Sequence, residues 1–112
     1  MDARTSAITL KALDGLSARS IATAENVANA STPHYRPVRV RFEAALEAAA
    51  GKDIAAIEAV HPQTVQDSGA PDDVRLDLEL ATASETAMRY AALIEVLNRE
   101  VRIDGLAVSR NS

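Results

Sequence analysis

The chain has 112 residues, enough for one domain, and carries a formal net charge of −4. Because it lacks cysteine, it can form neither disulfides nor thiolate metal sites. One Phe, two Tyr and no Trp favour helices packed through small aliphatic side chains over a large sheet. Residues 1–42 carry six basic and three acidic side chains (+3), and residues 43–112 carry six and thirteen (−7). This imbalance favours pairing of the two halves, within a chain or between chains.

The first predicted element is a helix over about residues 6–30, inside an amino-terminal segment that spans 1–32. Apolar side chains recur there every three or four residues, as one face of a helix requires. These positions are Leu10, Leu13, Leu16, Ile21, Ala24, Val27 and Ala28. Pro33 disfavours helical geometry at the residue before it, so we expect the helix to end near Thr32.

The middle segment, residues 33–72, has weaker signals. Apolar residues alternate with arginines over 38–42, which indicates an extended stretch. Residues 42–50 return to helical composition, and Gly51 is a plausible helix stop. Ile54, Ile57 and Val60 fit either one short amphipathic turn or a strand, and residues 68–73 predict a loop.

The last segment, residues 73–112, predicts a long helix that starts after an N-cap at Asp73 or Asp77. An unbroken series of alternating four- and three-residue steps, which we call the heptad seam, runs along it. Its members are Leu76, Leu80, Ala83, Ala87, Tyr90, Ile94, Leu97 and Val101. From Asp77 to Leu106 such a helix would be about 45 Å long, too long for a compact domain of this size.

A second, weaker apolar stripe lies on another side of the same helix. It comprises Leu78, Ala81, Met88, Ala92, Val96 and Ile103. A helix that is apolar on two sides is buried on two sides or belongs to an assembly. We expect the heptad seam to pack on the chain's own first helix and the second stripe to contact another subunit. The predicted fold is therefore all-α, one structural unit in which two long terminal helices pair like a coiled coil around a short irregular middle.

The end of the first helix carries a motif, and its residues are Asn26, Val27, Ala28, Asn29, Thr32, Pro33 and Tyr35. It resembles the Asn-Ile-Ala-Asn-x-x-Thr-Pro-Gly-Tyr signature of flagellar rod and hook proteins. These residue types are suited to the end of a helix. The short side-chain amides of the two asparagines, one turn apart, can hydrogen-bond backbone carbonyls that have no partner within the helix, and Thr32-Pro33 then directs the chain out of the helix.

Two further stretches extend the resemblance. Residues 73–79 and 85–90 are similar to the Val-Asp-Leu-Asp-x-Glu and Glu-Asn-Ala-x-Arg-Tyr runs of the proximal rod subunit next to the export gate. Residues 60–65, around His61-Pro62, look like a mid-chain Thr-His-Pro-x-His stretch of the same subunit. These matches occur in the same order as in the proximal rod protein of the FlgB type, which the chain therefore resembles. One difference is His34, which takes the place of the usual Gly after Thr-Pro.

The resemblance implies a structural subunit of the bacterial flagellum that polymerises through its terminal helices at the base of the basal-body rod. It implies type III export without a cleaved signal peptide and a place in the periplasmic rod. The implied partners are other rod subunits, the export gate and the MS-ring proteins, with self-association in the rod. It implies no enzymatic activity, cofactor, nucleic-acid partner or direct insertion into the membrane.

The residues themselves offer other interpretations. His34 and His61 lack supporting ligands at metal-site spacing and are interpreted as surface side chains. The acidic residues near 72–79 are interpreted as N-cap and solvated groups and not as a cation site. Arg36, Arg39 and Arg41 could contact nucleic acid, but the acidic chain favours a charge contact between subunits.

No arrangement of nucleophile and base, and no phosphate-binding loop, suggests catalysis. The alternative to a rod subunit is a small cytoplasmic helical adaptor that binds one partner through the heptad seam.

Overall fold

The computed structural model describes residues 1–67, 69 and 74–111, and their side chains as far as residue 105. Within these ranges it contains four helices and two strands. They are α1 (Ala3–Ala28), β1 (Val38–Arg41), α2 (Glu43–Ala50), α3 (Ile54–Glu58), β2 (Gln63–Gln66) and α4 (Leu76–Asn111).

Two aspartates cap the amino-terminal ends of helices at the surface. Asp2 accepts a hydrogen bond from the backbone N of Thr5 at 2.7 Å and caps α1. Asp53 accepts one from the backbone N of Ala56 at 2.9 Å and caps α3. Such caps satisfy amide groups that have no partner within the helix.

The long helices α1 and α4 pack against each other in antiparallel orientation. Asn26, near the end of α1, contacts Glu79 at the start of α4. At the other end, the ammonium group of Met1 lies 2.8 Å from Glu100 Oε2. At 1.5 Å per residue, the 36 residues of α4 extend about 54 Å. The molecule is accordingly elongated, with extents of 63 × 27 × 14 Å.

Strands β1 and β2 form a two-stranded antiparallel sheet in which Val38 pairs with Gln66 and Arg41 with Gln63. The extended stretch predicted over 38–42 is confirmed for 38–41, whereas Phe42 caps α2 and β2 was not predicted. The expectation of an all-α fold is therefore wrong in this respect, although the two long terminal helices are present. Residues 54–58, left open between helix and strand, form α3.

The core lies where α2, α3 and β1 pack against α1. It is formed by Leu16, Ala22, Val40, Phe42, Leu46, Ala49 and Ile57, the last completely buried. Gly15 makes this packing possible, because a Cβ atom there would lie 2.4 Å from carbons of the Phe42 ring. The missing side chain thus lets the single phenylalanine lie directly on the α1 backbone.

The predicted stripe on α1 is only partly correct. Leu13 and Leu16 are buried, but Leu10 and Ile21 are 55% and 60% exposed, and Val27 is exposed as well. Polar or small residues take the inner positions instead, namely Thr9, Gly15, Thr23 and Asn26. The middle segment packs beside α1 and so determines which face of α1 is buried. Small side chains on that face let the middle segment approach the helix closely, and polar ones form hydrogen bonds with it.

The start of α4 also differs from expectation. Asp77 lies inside the helix and cannot be its N-cap. The other candidate, Asp73, lies outside the described residues, as do most of the predicted loop at 68–73 and the boundary at 72/73.

Candidate assembly site

Asn26 lies at the junction of α1, β1 and α4 and is completely buried. Its Nδ2 donates to the Val38 carbonyl at 3.0 Å and to Glu79 Oε2 at 3.1 Å. Its Oδ1 accepts from the Val38 N–H at 2.8 Å and from the Tyr35 hydroxyl at 2.9 Å. Both donors and both acceptor positions of the amide are therefore used, which offsets the cost of burying it.

The carboxylate of Glu79 completes this junction from α4. It is 1% exposed, and Oε1 accepts from Arg39 Nη1 at 2.6 Å. Arg39 also lies 3.5 Å from Asp67 and remains 41% exposed. A buried carboxylate is tolerated when it is paired and hydrogen-bonded, and Glu79 meets both conditions. We call these four side chains (Asn26, Tyr35, Arg39 and Glu79) the Asn26 junction.

The turn that follows α1 is built by the next motif residues. Asn29 Nδ2 donates to the Glu25 carbonyl at 2.9 Å, and Thr32 Oγ1 donates to Asn29 Oδ1 at 3.1 Å. His34 has a φ of 64°, the left-handed conformation that Gly adopts most easily. The turn brings Tyr35 back beneath α1, where its hydroxyl reaches Asn26.

The motif residues thus separate into two groups. Asn26, Asn29, Thr32 and Tyr35 make the hydrogen bonds just described, whereas Val27, Ala28 and Pro33 are exposed. Burial raises the pKa of the Tyr35 hydroxyl, with smaller contributions from Glu25 and Glu79.

The predicted packing of the heptad seam on α1 is wrong for most of its members. Leu76, Leu80 and Val101 are 48%, 59% and 69% exposed, and Ala87 and Tyr90 are also exposed. Ala83, Ile94 and Leu97 are half-buried. The inner face of α4 instead includes Glu79, Thr86 and Leu93, about one residue out of register with the seam. Consecutive residues of an α-helix are 100° apart around its axis, so the heptad seam lies to one side of the face of α4 that contacts α1.

The second stripe is exposed along its whole length. Leu78, Met88, Val96 and Ile103 are between 41% and 72% exposed, and Ala81 and Ala92 are exposed too. Helix α4 therefore presents apolar side chains to solvent on both sides of its contact with α1. Large contiguous apolar patches often mark interaction sites, so these two sides of α4 are candidate contact surfaces.

The basic cluster does not act as one group. Arg39 pairs with Glu79, and Arg36 Nη1 donates to the Gly69 carbonyl at 2.7 Å, so both contact their own chain. Their contacts within the chain do not test the interpretation as a contact between subunits, which stays a prediction. Arg41 is exposed and has no ion pair among the described residues, so for it the interpretation stays a prediction.

An apolar groove of about 500 Å³ runs between α1, α2 and α4. Its lining includes Ile8 and Ala12 of α1, Leu46 of α2, and Ala92 and Leu93 of α4. The carboxylates of Glu43 and Glu47 lie on the α2 side, and Arg89 lies on the α4 side.

Glu43 is already paired at this edge. Arg19 donates to both of its oxygens at 2.7 Å, and the guanidinium carbon lies 5.0 Å from the centre of the Phe42 ring. The hydrogen bond from Arg19 lowers the pKa of Glu43. Glu47 has no ion pair within the described part of the chain, so it is the uncompensated acidic group of the groove.

No group of three potential metal ligands occurs in the residues that the structure describes. In the same ranges, no helix has both the length and the apolar character to cross a membrane. His61 is exposed at the surface, and the predictions of no metal and no cofactor stay predictions.

Sequence reasoning missed Glu79 as the partner of Asn26 and the groove beside α2. One signal was available for Glu79. It is the last of three acidic residues in the 73–79 stretch that resembles the proximal rod subunit, and Asn26 belongs to the amino-terminal motif. The structure brings these two distant stretches into direct contact.

No protein-family model matches the chain, and no curated protein matches it significantly. The resemblance to rod proteins therefore rests on the motif residues themselves.

Proposed function

We propose that the chain is a structural subunit of the proximal rod of the bacterial flagellum, polymerising at the base of the basal body. Export gate and MS-ring proteins would be its neighbours on one side and other rod subunits on the other. The observation that carries the proposal is the Asn26 junction. It joins the amino-terminal motif to the start of α4, the two regions whose sequences resemble rod proteins.

The exposed sides of α4 support the same proposal. A polymer needs apolar surfaces that are exposed in the single subunit and become buried when neighbouring subunits bind. The heptad seam and the second stripe provide two such surfaces on one rigid helix. We take the seam residues Leu76, Leu80, Ala87, Tyr90 and Val101 as contacts between subunits.

The test is deletion of the gene in the source bacterium, followed by complementation with the wild-type chain. We expect the deletion strain to lack rods in isolated basal bodies and to be non-motile, and the complemented strain to recover both. Intact rods in the deletion strain would disprove the proposal.

The groove favours a second candidate function, a small cytoplasmic adaptor that receives one partner helix. An adaptor would remain in the cytoplasm and leave rod assembly unchanged when deleted. Fractionation of the complemented strain separates the two, because a rod subunit co-purifies with basal bodies.

A further inference from the structure

The far end of α4 carries a ridge formed by Val96, Arg99 and Ile103, which occupy positions i, i+3 and i+7 of one helix face. Val96 is 41% and Ile103 56% exposed. At this level the Met1 ammonium group pairs with Glu100, one turn beyond Val96, and Val96 and Ile103 nevertheless remain exposed. The ridge is thus an apolar pair with a basic residue between its members.

The groove has the complementary character. Eight of its eleven lining residues are apolar. Of the three charged ones, Glu43 pairs with Arg19 and Arg89 with Glu85, whereas Glu47 has no ion pair among the described residues. The groove also offers few polar groups that could orient a small molecule, which binding pockets for such ligands normally contain. Its shape and composition suit an amphipathic helix with anchors at i, i+3 and i+7.

The ridge cannot reach the groove of its own chain. Ala92 and Leu93 of α4 form one wall of that groove, and Ile103 lies ten residues further along the same continuous helix. At 1.5 Å per residue this is about 15 Å along the axis. A contact between ridge and groove therefore requires a second copy of the chain.

We propose that the ridge of one copy docks into the groove of a second copy, with Arg99 facing Glu47. This inference rests on the proposed function, since it names the contact by which subunits would join. The contact unites two different patches, so it can repeat from copy to copy without closing. Arg99 is available for it, because its pairing with Glu95 at 3.3 Å is between side chains about two-thirds exposed, and such pairs contribute little.

The experiment is sedimentation velocity of the full chain at low salt over a concentration series. We expect wild-type protein to self-associate, and Arg99→Glu and Glu47→Arg each to weaken association about fivefold. An equal mixture of the two variants should recover wild-type association, because each mixed contact then pairs opposite charges. Rescue in the mixture cannot arise from a structural effect within either chain.

Two matched controls accompany these variants. Arg75→Glu makes the same charge reversal just before α4, at the end of the helix opposite to the ridge, and Glu58→Arg reverses an acidic residue on α3 outside the groove. Neither should alter association, and circular dichroism of all variants should match the wild type.

Wild-type protein that stays monomeric, or a mixture that fails to recover association, would overturn the contact. A different result would disprove the proposed function, namely intact rods in a strain from which the gene has been deleted. A strain that needs the gene for rods, yet whose protein associates without regard to Arg99 and Glu47, would refute the contact alone.

Discussion

The side-chain amide of Asn26 donates to Glu79 Oε2 at 3.1 Å, and both side chains are almost fully excluded from solvent. The two residues are 53 positions apart and belong to the two long helices. Their contact fixes the register of α4 on α1 at one end of the pair. A buried polar contact of this kind specifies one alignment, because sliding by a turn would take the Glu79 carboxylate away from Asn26 and Arg39 and leave one Asn26 N–H donor unpaired.

The first prediction concerns Arg39, which pairs with Glu79 in the Asn26 junction. Arg39→Glu removes the cation that faces the buried Glu79 and places a second negative charge beside it. We expect a loss of about 3 kcal/mol in the free energy of unfolding, measured by urea denaturation. Arg41→Glu, two residues along the same strand and exposed, should change it by less than about 0.5 kcal/mol. Equal effects of the two substitutions would show that Glu79 does not depend on Arg39.

Tyr35→Phe tests the opposite side of the junction. It removes the hydroxyl that donates to Asn26 Oδ1, and we expect a loss of about 1 kcal/mol in the free energy of unfolding near neutral pH. The change is made inside the motif but keeps the aromatic ring, so the turn itself should persist.

The same variant should change the response to alkaline pH. Burial raises the pKa of Tyr35 in the folded state, so the folded chain holds this proton more tightly than the unfolded chain. The resulting stabilisation is fully present below the unfolded value of about 10 and is lost as pH rises through the folded pKa. Above about pH 10 the wild type should therefore lose stability more steeply than Tyr35→Phe. Parallel unfolding curves for the two proteins would contradict this.

The sequence predicted the long helices well because their signals are local. Pro33 and the two asparagines mark the end of α1, and the extended spacing of apolar residues marks α4. Strand β2 was missed because residues 63–66 contain one aliphatic residue among polar ones, so its pairing with β1 depends on the tertiary contact.

The face of α4 that packs on α1 could not be predicted from periodicity alone. The heptad seam is the most regular apolar pattern, but the inner face includes Glu79 and Thr86, which no hydrophobic pattern selects. The position of Glu79 is decided by the partners that α1 and β1 provide, namely Asn26 and Arg39. The apolar pattern instead follows surfaces that remain exposed in the single chain.

Gly15 gives a prediction about close packing. A Cβ atom there would lie 2.4 Å from the Phe42 ring, so Gly15→Ala must displace the ring or the helix. Such overpacking costs about 1–3 kcal/mol, which exceeds the gain of up to about 1 kcal/mol in helix propensity. Gly105→Ala is the matched control, because nothing lies within 4 Å of its added Cβ atom. Thermal unfolding should show a lower midpoint for the first variant and an unchanged or higher one for the second.

The last prediction separates the inner face of α4 from the heptad seam. Leu93 packs against the core, whereas Val101 is a seam residue that is 69% exposed. Leu93→Asp buries a charge against apolar neighbours and should reduce the free energy of unfolding by about 3 kcal/mol or more. Val101→Asp should leave it within about 0.5 kcal/mol of the wild type, since the side chain is already in solvent.

In cells the two variants should fail for different reasons. The Leu93→Asp subunit should be scarce because it unfolds and is degraded, whereas the Val101→Asp subunit should accumulate normally yet be absent from isolated basal bodies. Immunoblots of whole cells and of basal bodies, together with motility, measure both outcomes. If the Val101→Asp strain swims normally, the seam is not a contact in the rod, and the adaptor that uses the groove becomes the better explanation. If Leu93→Asp unfolds like the wild type, α4 does not depend on this face to pack against the core.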